Sequence, residues 1–286
     1  MAVTVRPLTP EFAAEVSGID ARHSIPDADF AVLRAAFEEH SVLVLHGQRL
    51  SDDEQVAFSE RFGPLEDSLA GTRGEGSYFA KLSNIADDGG LVDPGAQKML
   101  FSKANEFWHT DSSFKPWPPS ASILIGRVIP PEGGETEFCS MRAAHAALPA
   151  AIKARLAGLW AEHDLSRTRD MVAPGAMTAE QRKVYPPVRH AVVRANPVNG
   201  RKTLYLGAHV TRIVGMEERE SRALIDELIA FGTGERFVYR HHWTQDDMLI
   251  WDNRCVLHRG RPWDRARYAR SIQRTTVAGL GPTEAA

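Results

Sequence analysis

Cysteine is nearly absent: Cys139 and Cys255 are the only two. That is too few for a disulfide framework and matches no thiolate metal spacing, so two reduced thiols in a cytoplasmic protein are expected. No apolar run approaches the roughly 18 residues of a membrane span. The opening MAVTVRPLTPEF also lacks the basic-then-apolar pattern of a secretory signal. Charge of neither sign dominates. The 34 Lys and Arg stand against 37 Asp and Glu, a net charge of −3, where a nucleic-acid partner calls for a basic excess. Nothing repeats at a period of roughly 20 to 50 residues, and no low-complexity linker divides the chain. What remains is an ordinary globular composition, 43% apolar and 25% charged over 286 residues. A chain of that size buries about three-quarters of its surface on folding, and a single domain spanning 1–286 is expected.

The first third alternates in type. Residues 28–40 carry Phe30, Leu33 and Phe37 on one helical face, with Asp27 as the expected N-cap. SVLVLHG (41–47) reads as a buried strand, and SDDEQVAFSERFG (51–63) as a helix opened by a Ser51/Glu54 capping box. From about residue 105 strand signals dominate: ASILIGRVI (121–129), AVVRA (191–195), KTLYLG (202–207), FVYRHHW (237–243), DMLIWD (247–252) and SIQRTTVAG (271–279). Helices are expected at 140–158 and at 217–231, the latter with Leu224, Leu228 and Phe231 on one face. Many strands and few helices predict a mainly β sandwich or barrel packed against helices. The stretches 66–104 and 165–189 read as long irregular segments, expected to be lids over a site.

Most of the eleven histidines, His23, His40, His46 and His145 among them, carry no signal of their own. NEFWHTDSSF (105–114) differs. In an extended chain His109 and Asp111, two residues apart, project from one face, as two metal ligands or as a hydrogen-bonded pair. In WDNRCVLHRGRPW (251–263), His258 follows an apolar strand and a turn, and is a candidate third ligand. Two histidines and one carboxylate with open positions form the facial triad of non-haem Fe(II) oxygenases. Further on, RSIQRTT places Arg270 and Arg274 four apart, on one face of a strand. A buried guanidinium suits bidentate binding of a carboxylate, and Thr136 in GGETEF offers a hydroxyl to the same group.

At WHTDSSF, PPEGGETEFCSMRAAHAALP (130–149) and WDNRCVLHRGR the chain resembles the taurine/2,4-D dioxygenase family, in particular its branch acting on 2,4-dichlorophenoxyacetate. The likeness is nearly full length, from FAAEVSGID (12–20) and SVLVLHGQRLSDDEQVAFSERFGPLE (41–66) to the last strand. It implies a double-stranded β-helix (jelly-roll) core flanked by helices, and Fe(II), 2-oxoglutarate and O₂ as the reaction's requirements. It implies that His109, Asp111 and His258 bind the iron. Thr136 and Arg270 would hold the distal carboxylate of 2-oxoglutarate, with Trp251 walling that pocket. Arg274 would face the substrate's anionic group, with Asn105 nearby. The interval from His258 to Arg270 is one residue longer than the family pattern, which leaves Arg267 as a rival for the co-substrate role.

The activity so implied is hydroxylation of a small anionic substrate beside an ether oxygen, cleaving an aryloxyalkanoic acid to a phenol and an oxo acid as succinate and CO₂ are released. Oxidation of a sulfonate or alkyl sulfate by the same mechanism is the alternative, since Arg274 suits a carboxylate or a sulfonate equally. Tyr78, Phe79, Met99, Leu100, Phe101 and Met171 are candidates for an apolar substrate pocket or for packing beneath the lids. A zinc hydrolase also uses two histidines and a carboxylate, but needs no Arg270/Thr136 pair. A catalytically silent binding protein would most readily have lost a ligand. A homo-oligomer is expected from the resemblance; a membrane or nucleic-acid partner is not.

Overall fold

The computed structural model describes residues 2–68, 76–175, 177–279 and 281. Its largest sheet has seven strands in the order Thr4–Pro7, Ala14–Ser17, Val42–Leu45, Met248–Asp252, Ala121–Val128, Ser271–Val277 and Ala80–Ser83. All neighbours are antiparallel except Ala14–Ser17 beside Val42–Leu45. A smaller antiparallel sheet has Thr136–Ser140 between Val238–His241 and Val256–Gly260. A third holds Val210–Ile213, Trp160–His163 and Val188–Ala191, and Val193–Ala195 pairs with Lys202–Leu204.

Strand residues alternate between faces, and here both faces of the large sheet are apolar. Leu43, Leu45, Ile123, Ile125, Met248 and Ile250 point outward, onto Leu33 and Phe37 of the helix Asp27–His40 and Phe58 of the helix Asp52–Glu60. The intervening Val42, Val44, Leu124, Leu249 and Trp251 point the other way and pack on Phe138 and Val256 of the smaller sheet. Cys139 and Leu257, one residue along, face the opposite side with Met141 and Leu224. Two facing, mainly antiparallel sheets with helices outside are the jelly roll that the family resemblance implies. Cys139 and Cys255 are buried and unbridged, and no helix among the described residues is long and apolar enough to cross a membrane.

Several local expectations are corrected. The first helix starts at Asp27, and its N-cap is Pro26, which has no side-chain acceptor; Asp27 instead sets its charge in the first turn, where the helix dipole favours it. The Ser51/Glu54 capping box is present. The segment 140–158 forms two helices, Met141–Ala147 and Ala150–Leu156, because Pro149 forces Leu148 into an extended conformation. On Glu218–Gly232 the buried face is Leu224, Ile225 and Leu228, while Phe231 stays exposed. The supposedly irregular stretches contain the strand Ala80–Ser83 and the helices Gln97–Ser102, Leu165–Val172 and Ala179–Val184. They also touch each other: Arg169 lies over the Phe101 ring at 4.6 Å and donates to the Phe101 carbonyl at 3.2 Å.

Arg254 pins the turn between Met248–Asp252 and Val256–Gly260, pairing with buried Asp252 at 2.7 Å and with Glu38 of the first helix at 2.8 Å. Deeper, His163 is fully buried and stacks on Tyr205 at 5.5 Å, with neither ring nitrogen hydrogen-bonded. Burial pushes its pKa well below the ordinary histidine value, and pushes His190 down to about 4. Both rings are therefore folded in their neutral form. The unfolded chain takes up their protons near pH 6.5, so the stability they leave intact at neutral pH is lost as pH falls below that value. The expected slope is up to about 1.4 kcal/mol per pH unit for each such histidine. Urea titrations between pH 7 and 5.5 should show His163→Phe with a shallower loss, by about one proton; an unchanged slope would mean that His163 protonates without unfolding.

Candidate metal and co-substrate site

The site lies between the two sheets because strand parity puts its residues there. His258 is two residues beyond Val256, Thr136 two before Phe138, and Arg274 two beyond Ile272, and those three apolar residues all face the inner core. His109 reaches it differently from the extended stretch predicted. It forms an isolated antiparallel bridge with His258, through N–H···O bonds of 3.1 and 2.8 Å. Asp111 then opens a turn in which Ser112 holds a positive φ of 46°. A left-handed serine stores about 1–3 kcal/mol of strain, here next to a candidate ligand.

The ligand atoms of His109, Asp111 and His258 lie within 4.8 Å of one another, and all three residues are buried. The imidazole centroids are 4.2 Å apart, and His258 Nε2 is 3.8 Å from Asp111 Oδ1. His109 Nδ1 is 2.7 Å from the Phe107 carbonyl, so Nδ1 carries the proton and Nε2 offers its lone pair. Burial holds both imidazoles below their usual pKa, and so neutral. For Asp111 burial acts upward, but the Arg274 guanidinium, helped by the Ser122 hydroxyl, overrides it and keeps the carboxyl well below the carboxylate range. Asp111 Oδ1 contacts Arg274 Nη1, and Oδ2 accepts from Ser122 Oγ at 2.6 Å. Two neutral imidazoles and an ionised carboxylate in a buried cluster are a donor set that fits a divalent transition metal.

A cavity beside this cluster is lined by His109, His258, Asn105, Thr136, Trp251, Arg270 and Arg274, among others. Arg270 is buried, and among the described residues no carboxylate pairs with it; burial drives its pKa down to about 10. Its Nε and Nη2 both donate to the Gly134 carbonyl, at 3.2 and 3.0 Å. This occupies one edge of the guanidinium and leaves the Nη1–Nη2 edge for a ligand. Gly133 and Gly134 both have φ near +70°, and a Cβ on Gly134 would come within 2.9 Å of Arg270 Nε. Only glycine allows that approach. An unpaired buried guanidinium with a free edge fits the distal carboxylate of a keto diacid.

Every predicted site residue except Asp111 lines this cavity, and Asp111 contacts its wall through Arg274. Arg267 does not; it lies exposed in the turn, over Tyr268 at 5.0 Å. Asn84 pins that turn by donating to the Arg265 and Tyr268 carbonyls and accepting from Arg270 N–H. Arg274 also borders a second cavity, lined by Ser68, Tyr78, Ser112 and Lys115 among others. Of the six apolar candidates for a substrate pocket only Tyr78 lines either of these cavities, while Phe79 and Met99 pack inward and Met171 is exposed.

The sequence reading missed Asn253. Its Oδ1 accepts from Trp251 Nε1 at 2.8 Å and lies 3.4 Å from Asp111 N, and its Nδ2 donates to Ser122 Oγ at 2.9 Å. It also missed buried His209, whose ring is 6.1 Å from His109 and whose Nδ1 is 3.2 Å from Ser113 Oγ. Nothing in the local sequence marks either residue, because the partners that tie them to the site, Asp111 and Ser122 for Asn253 and Ser113 for His209, lie more than ninety positions away.

A buried triad of this composition beside a carboxylate-seeking arginine defines a non-haem iron oxygenase of the 2-oxoglutarate-dependent class. The chain belongs to the taurine catabolism dioxygenase TauD, TfdA family, which matches residues 4–276. It is 41% identical over 282 residues, 97% of this chain and 98% of the relative, to an alpha-ketoglutarate-dependent 2,4-dichlorophenoxyacetate dioxygenase of Cupriavidus pinatubonensis. It is 34% identical to an (S)-phenoxypropionate/alpha-ketoglutarate-dioxygenase of Sphingobium herbicidovorans, covering 100% of this chain and 98% of that one. The crystal structure of AAD-2 in complex with Mn(II) and N-oxalylglycine superposes with a TM-score of 0.92 at 37% identity, over 99% of both chains.

Because Asn253 and Ser122 orient Asp111, Asn253→Ala should weaken divalent-metal affinity about ten- to a hundredfold. Competition titration of Co(II) or Zn(II) into the purified variant measures this, and an affinity equal to wild type would remove Asn253 from the site.

Proposed function

We propose that this protein is an Fe(II)- and 2-oxoglutarate-dependent dioxygenase that cleaves a small aryloxyalkanoic acid of the 2,4-dichlorophenoxyacetate kind to a phenol and an oxo acid, releasing succinate and CO₂. The observation that carries the reading is Arg270, a buried guanidinium with no carboxylate partner among the described residues, in one cavity with His109 and His258. The relatives' names support the substrate class, each joining alpha-ketoglutarate to an aryloxy acid.

In this reading His109, Asp111 and His258 hold the iron, and Arg270 with Thr136 holds the distal carboxylate of 2-oxoglutarate. Bound iron, with 2-oxoglutarate and O₂, supplies insertion of an oxygen atom into a substrate C–H bond. The chain's own residues position and shield. Trp251, fully buried and 4.6 Å from the His258 ring, walls the co-substrate and keeps water out. Arg274 attracts the substrate's anionic group, and Asn105 lies on the cavity wall beside it. No side chain acts as a general base, since hydroxylation of the carbon next to an ether oxygen gives a hemiacetal that falls apart by itself. The segments 66–104 and 165–189 serve as lids of a single catalytic domain, with 69–75 and 176 lying outside the described residues. The proposal extends to a homo-oligomer in the cytoplasm, a reducing compartment that suits two unbridged thiols. Because Arg274 accepts either anion, a sulfonate or alkyl sulfate is the second substrate class to test.

Succinate release with Fe(II), ascorbate and 2-oxoglutarate, measured against 2,4-dichlorophenoxyacetate, both phenoxypropionate enantiomers, taurine and an alkyl sulfate, tests the reading. Phenol released in step with succinate from an aryloxy acid is expected; stimulation by taurine or sulfate alone would overturn the substrate class. His109→Ala should abolish turnover, and normal succinate formation by that variant would remove His109 from the metal site. Arg270→Gln should raise KM for 2-oxoglutarate by tenfold or more, while Arg274→Ala should raise substrate KM far more than 2-oxoglutarate KM. Equal effects of Arg274→Ala on both constants would move it out of the substrate role.

A further inference from the structure

Behind the co-substrate end of the cavity, just past the strand Val238–His241, lies Trp243, buried and outside the roles assigned so far. Its indole N–H donates to Thr136 Oγ1 at 3.0 Å. An indole nitrogen is a donor only, so it must meet Thr136 at an oxygen lone pair. No acceptor for Thr136's own hydroxyl hydrogen is found among the described residues, and Thr136 lines the cavity together with Arg270. The hydroxyl is thus occupied from behind, and its single proton is left for the cavity side.

The indole itself has little freedom. It packs over Gly126, where a Cβ would come within 2.9 Å of its Cε3. It also meets the His241 ring edge-on, at 4.9 Å and 88°. His241 in turn is held by Asp247, with Nε2 3.0 Å from Oδ2. This donor is fixed in place, and accepting a hydrogen bond from it makes the Thr136 hydroxyl a better donor on its other side.

We infer that Trp243 is a positioning residue for 2-oxoglutarate: its N–H orients the Thr136 hydroxyl so that the proton is delivered to the distal carboxylate beside Arg270. The inference rests on the roles proposed above for Thr136 and Arg270. Trp243→Phe keeps the ring and removes the donor. Calorimetric titration of 2-oxoglutarate into Zn(II)-loaded enzyme should show about three- to tenfold weaker binding, the loss of one oriented hydrogen bond. Binding of 2-oxobutanoate, a 2-oxo acid without the distal carboxylate, should be unchanged. Thr136→Val should weaken 2-oxoglutarate by at least as much, and the double variant should bind no more weakly than Thr136→Val alone.

Additive losses, or equal loss for both 2-oxo acids, would make Trp243 a packing residue and overturn the inference. A loss in Thr136→Val with none in Trp243→Phe overturns it too, and leaves the role of Thr136 standing. No loss in Thr136→Val would instead strike the underlying reading. Should Trp243→Phe not fold, the indole ¹H–¹⁵N spectrum of the Zn(II)-loaded wild type serves. One indole N–H signal, the same one that Thr136→Val displaces, should move with 2-oxoglutarate and stay put with 2-oxobutanoate; no such signal would overturn the inference.

Discussion

The alternation of side chains across two facing antiparallel sheets is the constraint on which the rest depends. A strand residue has two directions available, and a shift of one position exchanges them. Phe138, Val256 and Ile272 commit three strands to the inner face by burying apolar surface there. At about 25 cal/mol per Å² of apolar area, each such side chain contributes roughly 1.5–3 kcal/mol toward that register. Thr136, His258 and Arg274 share their parity, so the same packing that holds the barrel together turns the site's polar groups into its mouth. The outer residues of the same strands bury against helices, and a slipped register would therefore lose both cores.

Against that apolar background the site concentrates charge. Asp111 is balanced by Arg274 and by a hydroxyl from Ser122, and it stays ionised despite burial. Arg270 has no such balance among the described residues; a backbone carbonyl takes one edge and the other faces the cavity. A buried charge without a counter-ion is costly by several kcal/mol, and a ligand that brings a carboxylate relieves that cost. Preorganisation here consists of keeping a destabilised group fixed until its partner arrives. Gly134 makes this possible by letting the backbone approach where any side chain would collide.

Much of the site could be read from the chain because its elements are local. The interval from His109 to Asp111, the apolar strand ahead of His258 and the arginine pair on the last strand are all contained in short segments. The strands themselves were legible where alternating or continuous apolar runs met turn residues, as at 121–129 and 247–252. Elements failed where one residue outweighed a pattern: Pro149 split a helix that periodicity ran through. The stretches 66–104 and 165–189 looked irregular because their helices are short and rest on tertiary contacts, such as Arg169 on Phe101.

The sequence by itself determined the parity of the strands, the identity of the candidate metal-ligand set and the presence of arginines suited to carboxylates, because each follows from spacing within a few residues. The tertiary structure alone decided which arginine enters the cavity: Asn84, more than 180 positions from the turn, pins it so that Arg270 points in and Arg267 out. It also decided that His109 joins the site by a bridge to His258, and that Asn253 and Ser122 orient Asp111. These outcomes depend on hydrogen bonds between residues brought together only when the sheets close. Short-range pattern carries no trace of such bonds, since neither partner's neighbours differ from those of an ordinary strand or turn.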